Sequence, residues 1–231
     1  MKNVELPFIR DMFDTIAPRY DLLNRLLSLR QDVWWRRAMI SAMEIPRDGM
    51  VLDVACGTGD VTLEILRQKG PGARVVGADF SPGMLLLAKD KIKTSELHLV
   101  SGNALRLPFR ENTFDAVTIA FGIRNIVDKR RALKAFCEQV KPGGMLLVLE
   151  LATPQKGLLR SFYLFYFKKL LPLIGGLFSK NLGAYQYLPK SVLSFPKPEA
   201  FSAIMRSAGF SNIRWRNLTL GIATLYVGHK E

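Results

Sequence analysis

Short apolar runs alternate with helically spaced stretches between residues 50 and 151. The run Met50–Ala55 ends at a glycine-containing turn, which is typical of a strand that is buried on both faces of a parallel sheet. Further apolar runs predict the strands Arg74–Phe80, Leu97–Ser101, Phe114–Phe121 and Met145–Leu151. The stretches between them predict helices at 60–69, 82–93 and 128–140. Such alternation predicts an α/β fold with a doubly wound, mainly parallel sheet.

The two ends of the chain carry a different pattern. Residues 8–29 have helical spacing that is interrupted near Ala17 and Pro18, because proline lacks an amide donor and its ring clashes with the preceding turn. The segment Trp34–Met43 predicts another helix. Near the other end, Glu199–Ala208 predicts a helix, and Ile213–Val227 predicts two strands on either side of Leu220-Gly221 that close the sheet as an antiparallel hairpin.

These patterns suit a single domain with four parts. The parts are a helical cap at 1–46, a cofactor-binding core at 50–151, an insertion at 153–198, and a C-terminal helix with strands at 199–231. The insertion is aromatic and basic and lacks strand character, so we expect it to recognise substrate.

Composition narrows the choice of environment and partner. The chain is 48% hydrophobic and 23% charged, which is typical of a globular protein. Its net charge of +13 predicts attraction to nucleic acid, an acidic ligand or an acidic lipid surface, although a solvated basic surface without a partner is nearly as good an interpretation. The two cysteines, Cys56 and Cys137, form no cluster, so we expect a reducing cytoplasm, no zinc site and no other metal.

No segment resembles an export signal or a membrane span. The N-terminus lacks the apolar run of a signal peptide. The most apolar stretch, residues 162–178, is interrupted by lysines, a proline and a glycine pair, and it falls short of the roughly 20 apolar residues of a spanning helix. We therefore expect a protein that does not cross a membrane.

The turn that follows the first strand predicts a cofactor site. Asp53 precedes Gly57, Thr58 and Gly59, where glycine permits a sharp turn and the close approach of a ligand. Backbone amides at the start of the next helix favour an anion such as the carboxylate of a methionine moiety. A dinucleotide site requires a third glycine, and Thr62 occupies that position. The turn therefore favours S-adenosylmethionine over NAD.

Other candidate cofactor residues follow later strands. Asp79 ends the second strand, where an acid accepts hydrogen bonds from ribose hydroxyls, and Ser81 is better placed than Asp79 to cap the next helix. The remaining candidates are Phe80 and Met84 against the adenine, Asn103 and Ala104 at the adenine amine, and the backbone of Ala120 near the sulfonium. For Phe80 and Met84, plain core packing is nearly as good an interpretation.

Specific motifs extend along nearly the whole chain. They are Ala17–Asn24, Asp53–Asp60, Asn103–Phe109, Phe121–Asn125, Val140–Gly144, Ala184–Ser191 and Phe195–Pro196. Together they resemble the UbiE/MenG family of quinone-biosynthesis C-methyltransferases. The resemblance implies a Rossmann-like, class I S-adenosylmethionine-dependent methyltransferase in which Thr58, Asp79, Asn103 and Ala104 bind the cofactor. The chain departs from the family at Asp32, Ala120 and Ala152, where histidine, serine and serine are common.

The resemblance also implies a reaction. The family transfers a methyl group to a ring carbon of a prenylated hydroquinone. We favour demethylmenaquinol as the substrate, and the ubiquinone-pathway benzoquinol stays open as an alternative or additional substrate. It implies that Arg124 stabilises the quinolate and orders a proton-accepting water, and that Asn125 orients a ring oxygen, with Tyr20 and Asp21 closing over the cofactor. A surface salt bridge to Asp128 is the competing interpretation of Arg124, and a turn-and-cap role is the competing interpretation of Asp21.

A prenylated substrate implies contact with a membrane. Residues 158–171 mix aromatic side chains with cations, as interfacial helices do, so we expect peripheral association with the inner leaflet of the inner membrane from the cytoplasm. A buried core helix is an equally good interpretation of this segment. Both a monomer and a homodimer are compatible with the sequence.

Two other classes of protein compete with this assignment. One is a methyltransferase with the same cofactor pocket that acts on a sterol, phenol or amine. The other is a basic nucleic-acid-binding protein or RNA methyltransferase, which requires aromatics interleaved with cations on an exposed platform. The aromatics here cluster beside aliphatic residues, which suits a lipid tail better, so we expect no nucleic-acid partner.

Overall fold

A seven-stranded sheet forms the centre of the protein. The computed structural model describes residues 5–70, 72–94, 97–154, 157–166 and 182–231. The strands are β1 (Met50–Val54), β2 (Arg74–Asp79), β3 (Leu97–Ser101), β4 (Phe114–Ala120), β5 (Val140–Leu151), β6 (Phe210–Leu218) and β7 (Ala223–Lys230). Their order is β3-β2-β1-β4-β5-β7-β6, and β1 to β5 are parallel.

The predicted α/β class and the closing hairpin are confirmed. Strand β7 pairs antiparallel with β5, and β6 pairs antiparallel with β7 at the edge of the sheet. The turn between β6 and β7 contains Leu220 at φ +57° and Gly221 at φ +90°, both in the left-handed region. The reversal at Leu220-Gly221 therefore lies where the sequence predicts it.

Helices flank the sheet and cover one of its ends. They are α1 (Glu5–Ile16), α2 (Tyr20–Leu27), α3 (Gln31–Ser41), α4 (Asp60–Lys69), α5 (Pro82–Lys91), α6 (Lys129–Gln139), α7 (Gly157–Phe165), α8 (Leu182–Leu193) and α9 (Pro198–Ser207). A 3-10 turn over Ala17–Arg19 separates α1 from α2, at the predicted bend. The predicted insertion thus contributes α7 and α8, and its residues 167–181 lie outside the described part of the chain.

Side chains that alternate along the strands build two cores. On one face, Leu52 and Val54 pack in a cluster with Phe136 of α6 and Phe201 of α9. On the other face, Val51 belongs to a cluster that includes α3 and α4. This alternation follows from the two-residue period of a strand, and it explains why β1 is apolar on both faces.

One predicted boundary is wrong. The sequence predicts that Pro142-Gly143-Gly144 closes the preceding helix and that the next strand begins at Met145, but α6 already ends at Gln139 and β5 begins at Val140. The register then shifts, because Phe114 pairs with Val140 whereas Ala116 pairs with Met145. A Cβ on Gly144 would lie 2.7 Å from the carbonyl oxygen of Asp115, so only glycine permits this close approach of the backbones.

Candidate active site

The glycine turn after β1 is open on one side and packed on the other. Ala55, Gly57 and Gly59 all have positive φ angles, of +53°, +55° and +80°. A Cβ on Gly57 would meet no atom within 4 Å, whereas a Cβ on Gly59 would lie 2.7 Å from the Cδ1 atom of Ile92. Gly57 therefore leaves space for a ligand, and Gly59 is required by packing against the end of α5.

Asp79 connects this turn to the start of α5. Its Oδ2 atom accepts a hydrogen bond from the amide of Gly57 at 2.8 Å, and its Oδ1 atom accepts one from the amide of Ser81 at 2.9 Å. The Ser81 hydroxyl accepts from the amide of Met84 and caps α5, as the sequence predicts. Burial raises the pKa of Asp79, and the two amides oppose that effect. Each carboxylate oxygen keeps a lone pair for a ligand hydroxyl.

A first cavity, which is open to solvent, lies above these residues. Seven of the ten predicted cofactor residues line it: Gly57, Asp79, Phe80, Met84, Asn103, Ala104 and Ala120. Ile9, Phe13 and Tyr20 close it from the N-terminal helices. The carboxyl ends of β1, β2 and β4 thus meet at one crevice, as parallel α/β sheets require.

Three predicted cofactor residues lie outside the lining of this cavity. Asp53 is buried below the turn, where its carboxylate accepts hydrogen bonds from the hydroxyls of Thr62 at 2.8 Å and Thr118 at 2.9 Å. Burial raises the pKa of Asp53 to about 7. Thr62, which stands where a dinucleotide-binding motif has its third glycine, thus forms a hydrogen bond to Asp53. The Thr58 hydroxyl instead donates to Asp21 of α2, and Gly59 packs against Ile92 at the end of α5.

Thr58 ties the glycine turn to α2. Its hydroxyl donates to the Oδ1 atom of Asp21 at 2.6 Å, and Lys91 of α5 donates to the Oδ2 atom of Asp21 at 2.6 Å. A second hydrogen bond connects α1 to the start of α5, because the Ser81 hydroxyl donates to the carboxylate of Asp14. Asp21 lines none of the cavities described here, so its contacts hold the N-terminal helices against the core.

Tyr20 lies where the first cavity adjoins two others. A second, wider cavity is also open to solvent, and it is lined by Tyr20, Phe121 and Arg124 together with apolar residues of α2, α3, α7 and α8. A third cavity is lined by Tyr20, Arg124 and Asn125 together with apolar residues of α1 and α2. Three of the four predicted catalytic residues are thus brought together at this junction. Burial raises the pKa of Tyr20, so its phenol is protonated at neutral pH.

Arg124 is buried rather than exposed. Its side chain is 7% exposed, and its Nη1 atom donates to the carboxylate of Glu150 at 2.7 Å and to the carbonyl oxygen of Phe121. The alternative pairing with Asp128 is wrong, because Asp128 caps α6 by accepting from the amide of Arg131. The Nε atom of Arg124 and the Oδ1 atom of Asn125 are buried and have no hydrogen-bond partner within the described residues.

Sequence reasoning missed Glu150 and the apolar contacts from α1. Glu150 is a lone carboxylate at the end of the apolar run of β5, at the same sheet edge as Asp79, and that placement was an available signal. Ile9 and Phe13 gave no such signal, because apolar side chains on an amphipathic helix also suit a plain core. The described part of the chain contains no cluster of His, Cys, Asp and Glu that could hold a metal ion, and no helix in it is long and apolar enough to cross a membrane.

The first cavity fits S-adenosylmethionine. Gly57 leaves room beside the backbone amides of the turn, Asp79 offers acceptors for ribose hydroxyls, and Phe80 and Met84 offer apolar surface to an adenine. A solved S-adenosylmethionine-dependent methyltransferase from Thermotoga maritima matches the fold with a TM-score of 0.68 at 18% identity, over 96% of this chain and 99% of that one. Fold and site define a class I S-adenosylmethionine-dependent methyltransferase.

Closer relatives identify the family. The model of the ubiE/COQ5 methyltransferase family matches residues 1–230. A protein of Geobacter sulfurreducens named ubiquinone/menaquinone biosynthesis C-methyltransferase UbiE is 50% identical over 226 residues, which cover 96% of this chain and 88% of that protein. A demethylmenaquinone methyltransferase of Thermus thermophilus is 49% identical over 221 residues, 95% of this chain and 100% of that protein. The chain belongs to the ubiE/COQ5 methyltransferase family and uses S-adenosylmethionine.

Proposed function

We propose that this protein methylates a ring carbon of a prenylated quinol and converts demethylmenaquinol to menaquinol. One observation carries the proposal: the buried guanidinium of Arg124 lies beside the junction at which the cofactor cavity meets a large, mainly apolar cavity. A ring with an ionisable hydroxyl and an apolar tail matches that combination. The names of the relatives from Geobacter sulfurreducens and Thermus thermophilus support the same substrate class.

Each residue at the junction has a distinct task in the proposed reaction. S-adenosylmethionine, when bound, supplies an electrophilic methyl group at its sulfonium. Arg124 stabilises the oxyanion of the ring, which makes the ortho carbon nucleophilic, and its high basicity excludes a role as the proton acceptor. A water ordered by Arg124 accepts the hydroxyl proton instead. The bond from the ring carbon to the methyl group forms as the bond from sulfur to the methyl group breaks, and the hydrogen of the methylated carbon then returns to the ring oxygen as a proton, which restores the aromatic ring. Asn125 borders both the first and the third cavities, and its unpartnered Oδ1 atom accepts a hydrogen bond from a ring hydroxyl. Tyr20, protonated because it is buried, donates to the second ring oxygen.

The remaining predicted residues act on the cofactor or on the shape of its site. We assign ribose binding to Asp79 and adenine contacts to Phe80, Met84, Asn103 and Ala104. Asp53 and Gly59 support the turn from below, and the Thr58–Asp21 contact holds the helical cap over the cavity. In this proposal cap and core work as one domain, because the cap supplies Tyr20 to a site that the sheet builds.

The test is methyl transfer by the purified protein. With S-adenosylmethionine and a reduced demethylmenaquinol, we expect S-adenosylhomocysteine and menaquinol in equal amounts, identified by mass spectrometry. A demethylated benzoquinol of the same tail length, assayed in parallel, distinguishes the two ring types. Inactivity on every prenylated quinol, combined with activity on a sterol, phenol or amine, would exclude the proposal. In cells that lack the protein, accumulation of demethylmenaquinone is the matching result.

We also propose reversible binding to an anionic membrane surface around the mouth of the second cavity. Leu29, which lines this cavity, is 81% exposed, and Leu220, which follows the lining residue Thr219, is 78% exposed. Trp34 and Phe165 are also exposed, and each is next in sequence to a residue that lines the same cavity, Trp35 and Tyr166. Exposed arginines, Arg30 and Arg37, lie in the same segment of the chain. Apolar side chains flanked by cations suit an anionic interface.

Vesicle flotation tests this surface. We expect the protein to float with vesicles that contain anionic lipid and to remain below with neutral ones, and we expect Leu29→Ser and Leu220→Ser to reduce flotation. Leu86→Ser is the matched control, since Leu86 is 64% exposed on α5 and lines none of the three cavities. Equal flotation with neutral and anionic vesicles, or none with either, would count against the proposal.

A further inference from the structure

Glu150 is a fully buried carboxylate that touches none of the three cavities. It is 0% exposed in β5, opposite Thr224 of β7, and it is absent from the lining of each cavity. A buried carboxylate is retained only when its lone pairs are satisfied by donors, because desolvation of the charge is unfavourable. Its partners therefore show what it does.

All of the hydrogen bonds recorded for Glu150 involve the arginine or the adjoining strand end. Its Oε1 atom accepts from the Nη1 atom of Arg124 at 2.7 Å and from the amide of Leu151 at 2.8 Å. Its Oε2 atom accepts from the backbone amide of Arg124 at 3.1 Å. One carboxylate thus holds both the side chain and the main chain of Arg124, across a sequence separation of 26 residues.

The bonds to Glu150 select which side of the guanidinium is left for a ligand. Nη1 is engaged by Glu150 and by the carbonyl oxygen of Phe121, a residue held at φ +57°. The Nε atom has no partner within the described residues, although it is buried. A free arginine side chain samples many rotamers, and a bond at one end of the planar fork removes most of that freedom. The orientation of the remaining donors is therefore set by Glu150.

We propose that Glu150 is a positioning residue for methyl transfer, which fixes the Arg124 guanidinium so that its unpaired donors face the oxyanion of the ring. The inference rests on the proposed function, since it assigns Glu150 to the same reaction. It differs from a purely structural role in one respect: a structural carboxylate affects how much protein folds, whereas a positioning carboxylate affects turnover by the folded protein.

Steady-state kinetics with Glu150→Gln test this inference. We expect kcat to fall about 100-fold, as it does when an enzyme loses one hydrogen-bond donor to an oxyanion. The Kd for S-adenosylmethionine should stay within about twofold of wild type, because neither Glu150 nor Arg124 lines the first cavity. Glu150→Asp retains the charge and both acceptor oxygens on a shorter side chain, so its kcat should recover to an intermediate value. It also replaces Glu150→Gln if that variant does not fold.

The control is Asp115→Asn. Asp115 of β4 pairs with Lys141 at 2.8 Å near the opposite end of the strands, so its loss should lower the melting temperature and leave kcat unchanged. A kcat within about twofold of wild type in both Glu150 variants would overturn the inference. So would a fall in kcat that is matched by an equal fall in cofactor affinity.

A measurement without substrate separates this inference from the proposed function. The Nε–Hε resonance of Arg124 in a ¹H–¹⁵N spectrum is assigned by its loss in Arg124→Lys. In the wild-type protein we expect a sharp, slowly exchanging signal, and in Glu150→Gln a broadened, rapidly exchanging one. An unchanged signal would overturn the positioning role, whatever the substrate. An inactive wild-type protein with the expected change in this signal would instead count against the proposed substrate alone.

Discussion

Replacement of Asp79 by asparagine probes the cofactor cavity most directly. In the wild-type protein each carboxylate oxygen accepts one backbone amide, from Gly57 at 2.8 Å and from Ser81 at 2.9 Å. These bonds hold the carboxylate in one orientation and leave one lone pair on each oxygen for ribose hydroxyls. Asparagine keeps the shape but has a single acceptor, and its NH₂ group must face one of the two amide donors.

The size of the effect follows from that change. The variant loses at least one hydrogen bond between a hydroxyl and a charged acceptor, which contributes about 1.5–3 kcal/mol. Since about 1.4 kcal/mol corresponds to a tenfold change in Kd, S-adenosylmethionine should bind about 10- to 100-fold more weakly. Part of the loss arises in the protein itself, because the amide of Gly57 or Ser81 is left facing another donor.

Isothermal titration of the cofactor measures this change. Asp115→Asn is the matched control, because it alters the same side chain at the start of β4, away from the cavity. Its Kd should equal that of the wild-type protein. A Kd for Asp79→Asn within about threefold of wild type, in a folded protein, would refute the assignment of Asp79 to the ribose.

Three further outcomes follow from buried or bridging groups. Asp53→Asn should raise the free energy of unfolding of the cofactor-free protein more at pH 8 than at pH 5, and the two increases should differ by about 2–3 kcal/mol. The reason is that the pKa of Asp53 is about 7 in the folded protein and 3.8 ordinarily, so ionisation of Asp53 destabilises the folded state as the pH rises from 3.8 to 7. Urea unfolding at the two pH values measures the difference. Equal effects of the substitution at both pH values would contradict the prediction. Asp21→Asn should speed cofactor release by up to about fivefold without loss of kcat, since a partly exposed ion pair contributes about 0.2–1 kcal/mol. Stopped-flow kinetics would detect this change, with Asp11→Asn as the control and an unchanged release rate as the contradicting result. Tyr20→Phe should lower the single-turnover rate about tenfold, and an unchanged rate would exclude Tyr20 as a donor.

The fold was predictable because its signals are local. The apolar run of β1, its glycine turn and the helix that follows lie within 20 residues, and their periodicities depend only on the geometry of strands and helices. The hairpin at Leu220-Gly221 was predictable for the same reason. The boundary at Val140 was not, because the glycine that suggests a helix end serves there to let two strands approach across a register shift.

The candidate site shows the same difference between features that follow from local sequence and features that depend on distant contacts. The sequence alone determined the class of fold, the crevice at the strand ends and the motifs that resemble a methyltransferase family. Only the tertiary structure decided which side chains reach the crevice. It placed Asp53 below the turn, turned Asp21 toward Thr58, and buried Arg124 against Glu150. Those outcomes depend on contacts between residues far apart in the chain, where burial requires each charge to find a partner, and no local pattern records which partner that is.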